Sequence, residues 1–340
     1  MYDRRDVAVD IRVPLGRPPR ELADFIARCE RAGFDGVGIH DHHQTGWDAY
    51  VVIALALSRT SRLRVYPATS NPVTRHPLVL AALANSLADI APGRSMLTLA
   101  TGFRSVEAAG VRSASRSELR SAVAAVRSLL AGEPVQFGET VTTMRNRAET
   151  VPPVCVLASG PRLLELAGEV ADVVMMLVGL HPAAVAAARE HVRVGAMRAG
   201  RDPASIREMF IVPTAVDRFE SAREWPRRWF RPGRPFLTYP SLSNLHWLRM
   251  AGIDLDPDHH PLDIPPELAS RICEALGLFG PPEHCAERLL RAREEAGVQH
   301  VFLFPSHTSE SAYELPEAEL AAFARVIRPR LRARTGEGQG

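Results

Sequence analysis

The sequence has few aromatic residues, few cysteines, no long apolar run and almost no net charge, and each shortage narrows the class of protein. Phe, Tyr and Trp make up 6% of the 340 residues, and the formal net charge is only +2. A balance this close to neutral gives no indication of nucleic-acid binding. No apolar stretch reaches the length of a membrane-spanning helix, and the first ten residues lack the apolar core of a signal peptide.

Cysteine usage points in the same direction. Cys29, Cys155, Cys273 and Cys285 are far apart and form no Cys-x-x-Cys pair. Such spacing is typical neither of a zinc site nor of a disulfide framework, and three of the four lie in apolar or helical contexts. We therefore expect buried, reduced thiols in a soluble cytoplasmic protein.

Short apolar segments alternate with amphipathic ones along most of the chain. Eight of the apolar segments read as strands: 6–13, 35–41, 62–69, 94–101, 152–158, 172–177, 209–216 and 298–305. Strands that are apolar throughout are typical of a parallel sheet buried on both faces. Eight strand–helix units predict an α/β fold, a (β/α)8 TIM barrel over residues 1–333, with an open doubly wound sheet as the alternative and a disordered tail at 334–340.

Residues 217–280 interrupt the alternation of strands and helices and form a long insertion between the seventh and eighth strands. The segment holds three of the four tryptophans and is rich in His, Pro and Arg. Long insertions in barrels usually lie on loops and often cover the site, so we predict a lid or substrate wall, with an interface or packing role as the alternative. The predicted substrate contacts are Trp229, His246 and Trp247 in this segment, with Trp47 and Phe103 outside it.

The active site of a TIM barrel lies at the carboxyl ends of its strands. Small and polar residues follow five of the predicted strands: Asp41-His42, Ala68-Thr69-Ser70-Asn71, Thr101-Gly102, Ser159-Gly160-Pro161 and Gly179. Asp41 could alternatively serve only as the cap of the next helix. The run His40-Asp41-His42-His43 contains metal-ligand types, but four consecutive residues cannot all face inward, so we predict no metal site.

Ser159-Gly160-Pro161 opens a predicted helix. A serine that caps the helix, followed by a glycine and by a proline at the first helical position, favours the start of a helix in any protein. The same features create an anion site, because free N–H groups and the helix dipole face the ligand.

Three segments carry a resemblance to a known family: NPVTRHPLVLAALANSLADIAPGR (71–94), ASGPRLLELAGEVADVVMM (158–176) and GPPEHCAERLLRAREEAGVQHVFLFP (280–305). They resemble the bacterial luciferase-like flavin and deazaflavin oxidoreductases. The likeness is greatest to the coenzyme F420-dependent branch, which includes methylenetetrahydromethanopterin reductase and F420-dependent glucose-6-phosphate dehydrogenase. It covers most of the chain and is weakest over 217–275.

The resemblance implies a tricyclic cofactor in the barrel mouth and a non-prolyl cis peptide at Ala68–Thr69 or Thr69–Ser70. The pyrimidine edge of the ring would meet Thr69, Ser70 and Asn71. Its phosphate would lie against 159–161, close to Gly179. Asp41 and His42 match the family's Asp-His near the reacting ring face, His42 as acid–base candidate and Asp41 as its orienter. The acidic tail of F420 has candidate partners in Arg75, Arg104 and Arg162.

One departure from the family pattern keeps three functions open. The F420 enzymes have an acidic residue after the strand-four glycine pair, where this chain has Ala100 for the first glycine and Phe103 for the acid. We expect an F420-dependent oxidoreductase that transfers a hydride at C5 of the deazaflavin. The alternatives are an FMN-dependent monooxygenase supplied with reduced flavin by a partner reductase, and a non-catalytic cofactor-binding member. Relatives suggest a homodimer.

Overall fold

The computed structural model describes residues 7–228, 243–256 and 261–336. Eight parallel strands form the central sheet: β1 Ala8–Val13, β2 Gly36–Ile39, β3 Arg64–Pro67, β4 Leu97–Leu99, β7 Val154–Ala158, β8 Val173–Met176, β9 Arg207–Val216 and β11 His300–Pro305. Their spatial order is β3-β2-β1-β11-β9-β8-β7-β4.

The two ends of this order meet beyond β3. Ser70 forms a parallel bridge with Leu99, its N–H donates to the Thr98 carbonyl at 3.0 Å, and the Ala100 N–H donates to the Ser70 carbonyl at 3.0 Å. The predicted (β/α)8 barrel is therefore confirmed. The open doubly wound alternative is wrong, because its two edge strands would be unpaired.

Helices surround the sheet. Their bounds are α1 Pro19–Ala32, α2 Ala49–Arg59, α3 Pro77–Ile90, α4 Arg104–Ala108, α5 Arg116–Ala131, α6 Pro161–Val170, α7 Pro182–Arg198, α8 Phe219–Ala222, α9 Trp225–Arg228, α10 Asn244–Met250, α11 Pro266–Leu276, α12 Pro282–Ala296, α13 Glu317–Ala322 and α14 Arg328–Gly336. Single 3-10 turns occupy His43–Thr45, Pro203–Ser205 and Pro261–Asp263, and a π-helical turn, Phe323–Ile327, joins α13 to α14. No helix in the described part of the chain is long and apolar enough to cross a membrane.

Proline occupies the start of many of these helices, among them α1, α3, α6 and α7. The first helical N–H has no partner in the helix, so proline loses nothing there and its fixed φ favours helical backbone. Since α14 continues to Gly336, residues 334–336 are helical, not part of a disordered tail as we expected, and 337–340 lie outside the described residues.

The insertion between β9 and β11 carries α8 to α11 and an added strand, β10 Leu278–Gly280, which pairs in parallel with the carboxyl end of β9. It has its own apolar core, built from residues such as Leu248, Ile264, Ile272 and Phe279. The predicted long insertion is thus confirmed, and α12 makes the crossover back to β11. A separate antiparallel hairpin, β5 Val135–Phe137 and β6 Thr140–Thr142, precedes β7.

The amino-terminal end of the barrel encloses a buried ion cluster. The carboxylate of Asp10 is fully buried, accepts the Tyr66 hydroxyl at 2.6 Å and Arg64 Nη2 at 3.0 Å, and lies 3.2 Å from His300 Nε2. Burial alone would raise the pKa of Asp10, but Arg64 and His300 lower it to about 2. Gly36 leaves the necessary room, since a Cβ there would lie 2.5 Å from Oδ2 of Asp10. This end of a TIM barrel usually serves stability, and the ion cluster fits that rule.

Candidate active site

A cavity of about 390 Å³ opens at the carboxyl ends of the barrel strands. The apolar part of its lining, here called the apolar wall, is formed by Ala68, Leu157, Leu163, Leu177 and Ile211. The polar part, here called the polar wall, carries cationic, imidazole and hydroxyl groups, with the Phe304 ring packed among them: Arg12, His40, His42, Arg104, His307 and Tyr313. No carboxylate occurs among the described residues that line it.

Arg12 organises the polar wall from the carboxyl end of β1. Its Nε lies 3.2 Å from the imidazole nitrogens of His40, Nη1 lies 3.2 Å from His307 Nδ1, and Nη2 donates to the Ala312 carbonyl at 2.7 Å. The guanidinium also sits 5.2 Å from the ring centre of Phe304. Arg12 thus ties β1 and β2 to the segment after β11 and brings a buried positive charge to the cavity.

His42 lies beside this charge. Its Nδ1 is 3.1 Å from the Tyr313 hydroxyl, which also accepts a hydrogen bond from the Gln44 amide at 3.1 Å. Burial first, then the positive charges of Arg12 and Arg104, lower the pKa of His42 to about 4. Burial also holds the pKa of neighbouring His40 well below its ordinary value. Both imidazoles are neutral at pH 7.

Asp41 does not line the cavity, although we predicted a catalytic or ring-contacting role for it. Its carboxylate is fully buried and accepts Arg75 Nε at 2.7 Å, Arg75 Nη2 at 2.9 Å and the Ser70 hydroxyl at 2.8 Å. Arg75 Nη2 also donates to Asp48 at 2.6 Å. With its forked guanidinium held by two carboxylates, Arg75 is a structural cation, which corrects its prediction as a partner of an acidic tail.

The segment after β3 is divided between cavity and interior. Ala68 and Thr69 line the cavity, and the peptide bond between them is cis, as the resemblance led us to expect. Ser70 and Asn71 are buried behind it, contrary to their predicted contact with the ring. The Ser70 hydroxyl bonds Asp41 and Tyr50, and the Asn71 side-chain oxygen accepts the N–H groups of residues 73 and 74.

The end of β4 contributes the predicted residues Thr101, Gly102 and Phe103 to the cavity. Gly102 has φ +91°, a conformation that favours glycine, and it turns the chain into α4. Phe103 is 48% exposed at the mouth, where it forms an apolar rim, and Arg104 follows it on the lining.

Ser159, at the end of β7, lines the cavity, while Gly160 and Pro161 begin α6 just outside the lining. Gly179 does not reach the cavity. It has φ +83°, and a Cβ there would lie 2.5 Å from the Ala275 carbonyl oxygen of α11. This glycine therefore serves the packing of the insertion against the barrel, which corrects its predicted place beside a phosphate.

The predicted aromatic substrate contacts do not gather at the cavity. Trp247 is 1% exposed and donates its indole N–H to the Ser159 carbonyl at 2.7 Å, so it supports the wall from behind. His246 packs on Trp247, with ring centres 4.5 Å apart, and is not a lining residue. Trp47 is 40% exposed away from the lining, and Trp229 lies outside the described residues.

Sequence reasoning missed Arg12, His307 and Tyr313 as cavity residues. Arg12 carried a usable signal, because a charged residue in the otherwise apolar end of AVDIRV must find buried partners. His307 and Tyr313 lie in an irregular segment after β11, where nothing in the pattern indicates which side chain faces inward.

The lining residues fit a flat heteroaromatic cofactor. Apolar side chains on one wall suit a ring face, and donors and backbone at the ends of β3 and β4 suit its polar edge. The ten-residue helix α6 begins beside Ser159, where the positive end of the helix dipole suits a phosphate, while Pro161 has no N–H and the N–H of Leu163 donates to the Gly160 carbonyl.

A closed barrel with such a cavity at its carboxyl rim defines a TIM-barrel protein with an active-site-type pocket for a ring cofactor. The chain belongs to the family described as luciferase-like monooxygenase, whose model matches residues 7–300.

Known proteins resemble this chain in sequence and in fold. The 5,10-methylenetetrahydromethanopterin reductase of Methanolobus tindarius is 32% identical over 196 residues, which cover 56% of this chain and 59% of that protein. The F420-dependent glucose-6-phosphate dehydrogenase 1 of Rhodococcus jostii RHA1 is 29% identical and covers 92% of this chain and 95% of its own. The structure of the coenzyme F420-dependent tetrahydromethanopterin reductase of Methanopyrus kandleri aligns with TM-score 0.70 and 21% identity, over 96% of this chain and 99% of that chain.

Proposed function

We propose that this chain is an oxidoreductase that uses coenzyme F420 to transfer a hydride between C5 of the deazaflavin and a small organic substrate. The observation that carries the proposal is the cavity itself, whose lining combines apolar side chains, cationic groups and the cis-bonded Ala68–Thr69 segment. The Rhodococcus jostii dehydrogenase and the Methanopyrus kandleri reductase to which it is similar are both named F420-dependent. When bound, F420 supplies the two-electron chemistry, and the protein supplies orientation and electrostatics.

Ala68, Thr69, Thr101 and Gly102 would border the ring, because these residues line one side of the cavity. The phosphate would lie at 159–161, where α6 begins. Asp41, Ser70 and Asn71 would act from behind, by fixing the backbone that carries Thr69.

The acidic tail of F420 distinguishes it from FMN, and two arginines are placed to meet it. Arg104 is on the cavity lining, and Arg162 is exposed in the first turn of α6. Charge-assisted hydrogen bonds from guanidinium to carboxylate favour a poly-acidic ligand. Arg75 is excluded by its own ion pairs.

Equilibrium fluorescence titration of the purified protein with F420, with FMN and with the deazaflavin lacking phosphate and tail tests the proposal. We expect tight F420 binding, weak FMN binding, and a several-fold loss of F420 affinity in Arg104→Gln and Arg162→Gln. The tail-less deazaflavin should be affected much less. Arg193→Gln, which removes a surface cation of α7 paired with Glu190, is the matched control. Preference for FMN in the wild type would contradict the proposal.

An FMN-dependent monooxygenase is the second candidate, and one observation favours it. The cavity lining carries no carboxylate within the described residues, and Phe103 makes the mouth apolar, which suits oxygen chemistry that must exclude water. That function would need a partner that supplies reduced flavin. Oxygen consumption with reduced FMN would support it, and binding of either cofactor without turnover would indicate the non-catalytic member.

We also propose a homodimer that works in the cytoplasm. All four cysteines are free and buried, which suits a reducing compartment. Gel filtration with light scattering tests the dimer, and a monomer at micromolar concentration would contradict it.

A further inference from the structure

The side chains of Gln44, Tyr313 and His42 form a hydrogen-bond chain, and the donor at one end indicates its direction. The Tyr313 hydroxyl has one proton to give, and Gln44 Nε2 already donates to its oxygen at 3.1 Å. The hydroxyl proton is then available for the other neighbour at hydrogen-bond distance, His42 Nδ1, at 3.1 Å. If the hydroxyl donates to it, Nδ1 is the acceptor, and a neutral imidazole whose Nδ1 accepts carries its proton on Nε2.

The surroundings of His42 keep the ring neutral. Arg12 of β1 and Arg104 of α4 face it with positive charge, His40 lies with its ring centre 4.8 Å away, and His43 and Asp41 adjoin it in sequence. The cations and burial outweigh the carboxylate of Asp41, which is committed to Arg75. A neutral ring offers one N–H and one acceptor nitrogen, so the partner of Nδ1 decides what Nε2 presents.

We propose that Tyr313 and Gln44 are positioning residues that fix His42 as an Nε2–H donor to an oxygen atom of a substrate carbonyl. His42 lines the cavity, and within the described residues Nε2 has no hydrogen-bond partner, so this nitrogen is available to a ligand. The inference rests on the proposed function for its reaction, and it adds a substrate class, aldehydes and ketones or the corresponding alcohols.

The proton step balances. As the carbonyl carbon gains a hydride from the reduced cofactor, the C=O π bond breaks and the oxygen takes the Nε2 proton, forming C–H and O–H bonds. Nδ1 takes the hydroxyl proton of Tyr313, so the imidazole stays neutral overall. Tyr313 is half-buried and contacts the exposed Gln44, where solvent returns its proton. The carbonyl is reduced by two electrons, and the reverse sequence oxidises an alcohol.

The test uses long-range ¹H–¹⁵N NMR of the imidazoles in the cofactor-free full chain. In the wild type we expect His42 protonated at Nε2 with an unprotonated Nδ1. Tyr313→Phe should give a mixture of both tautomers. Gln44→Glu should reverse the direction of these hydrogen bonds. A carboxylate accepts the Tyr313 proton, the hydroxyl oxygen then accepts from Nδ1–H, and His42 becomes the Nδ1–H tautomer. Gln136→Glu, which adds the same charge on the distant β5–β6 hairpin, should match the wild type.

Two results would overturn the proposal: a wild-type His42 protonated at Nδ1, or no change of tautomer in Gln44→Glu. Gln44 is exposed, so its variant should fold even if Tyr313→Phe does not. Acetate serves as the oxygen-acceptor probe. It should shift the Nε2 signal in the wild type and not in Gln44→Glu, and no shift in the wild type up to saturating acetate would show that Nε2 does not face the cavity. Because no cofactor is present, failure here leaves F420 binding untouched, and failure of F420 binding leaves the tautomer result standing.

Discussion

Replacing Arg75 with Ala separates two explanations for the Asn-Pro-Val-Thr-Arg-His-Pro segment. As a cofactor-tail cation, Arg75 would matter for binding and little for folding. In the structure Arg75 instead pairs with two carboxylates, through 2.7 and 2.9 Å hydrogen bonds to Asp41 and a 2.6 Å hydrogen bond to Asp48. Its side chain is 13% exposed, and the side chain of Asp41 is fully buried.

The magnitude follows from the charge left behind. Among the described residues, Arg75→Ala leaves the buried Asp41 carboxylate with the Ser70 hydroxyl and a 3.5 Å approach of His43. Breaking a buried ion pair on one side typically costs about 3–5 kcal/mol, a large part of the roughly 5–15 kcal/mol by which a domain is stable. Asp48 is half-exposed and caps α2, so losing its contact adds about 1 kcal/mol at most.

Urea unfolding followed by tryptophan fluorescence measures this loss. Two controls sharpen it. Arg104→Ala removes a cavity-lining cation that makes no ion pair with the described residues and should change stability by about 0.5 kcal/mol or less. The double variant Asp41→Asn/Arg75→Met removes both charges and should recover part of the loss, because no buried charge remains.

A small stability loss in Arg75→Ala, below about 1 kcal/mol, together with a salt-dependent drop in F420 affinity, would refute the reasoning. Arg75 would then be a ligand contact, and the observed ion pairs would contribute little. A large loss of stability in which the folded variant still binds F420 would support the structural role.

Three further perturbations address other parts of the molecule. Asp10→Asn should destabilise the fold by about 3 kcal/mol, because it leaves a buried cation without its carboxylate. In the wild type, the depressed pKa of Asp10 gives stability that is present above about pH 4 and is lost as the pH falls toward 2, which urea titrations across that range measure. His42 has a folded-state pKa of about 4, so protonation favours the unfolded chain and stability should fall as the pH drops from about 6.5 to 4; His42→Asn should flatten this slope, and an unchanged slope would contradict it. Gly179→Ala should lower the melting temperature more than Gly46→Ala, since φ is +83° and +82° but only the former Cβ meets backbone, at 2.5 Å; equal losses would argue against the close approach.

The fold was largely readable from local pattern. Apolar runs, helix starts at proline and the spacing of eight strand–helix units depend on neighbours in sequence, and the barrel follows from their number and handedness. The bounds of the insertion were readable for the same reason. Its packing was not, because nothing local indicates that β10 joins β9 or that α11 lies against Gly179.

The sequence predicted where along the chain the site residues lie, but not which of their side chains face the cavity. Of the residues predicted as catalytic or cofactor-binding, His42, Thr69, Gly102 and Ser159 line the cavity, whereas Asp41 is buried in an ion pair. Side chains alternate within a strand but follow no fixed rule beyond its end: Thr101, Gly102 and Phe103 all line the cavity, whereas Asp41 does not. A strand end therefore identifies a neighbourhood and leaves the facing side chain undetermined.

The sequence by itself determined the eight-fold alternation, the rim where chemistry gathers and the family likeness, because periodicity and short motifs are local properties. Only the tertiary structure decided that Arg12 of β1, His42 after β2 and Tyr313 after β11 form one wall. About three hundred residues separate Arg12 from Tyr313, and the pairing of β1 with β2 and with β11 brings the three together. The burial and the positive charge that lower the pKa of His42 therefore exist only in the folded chain.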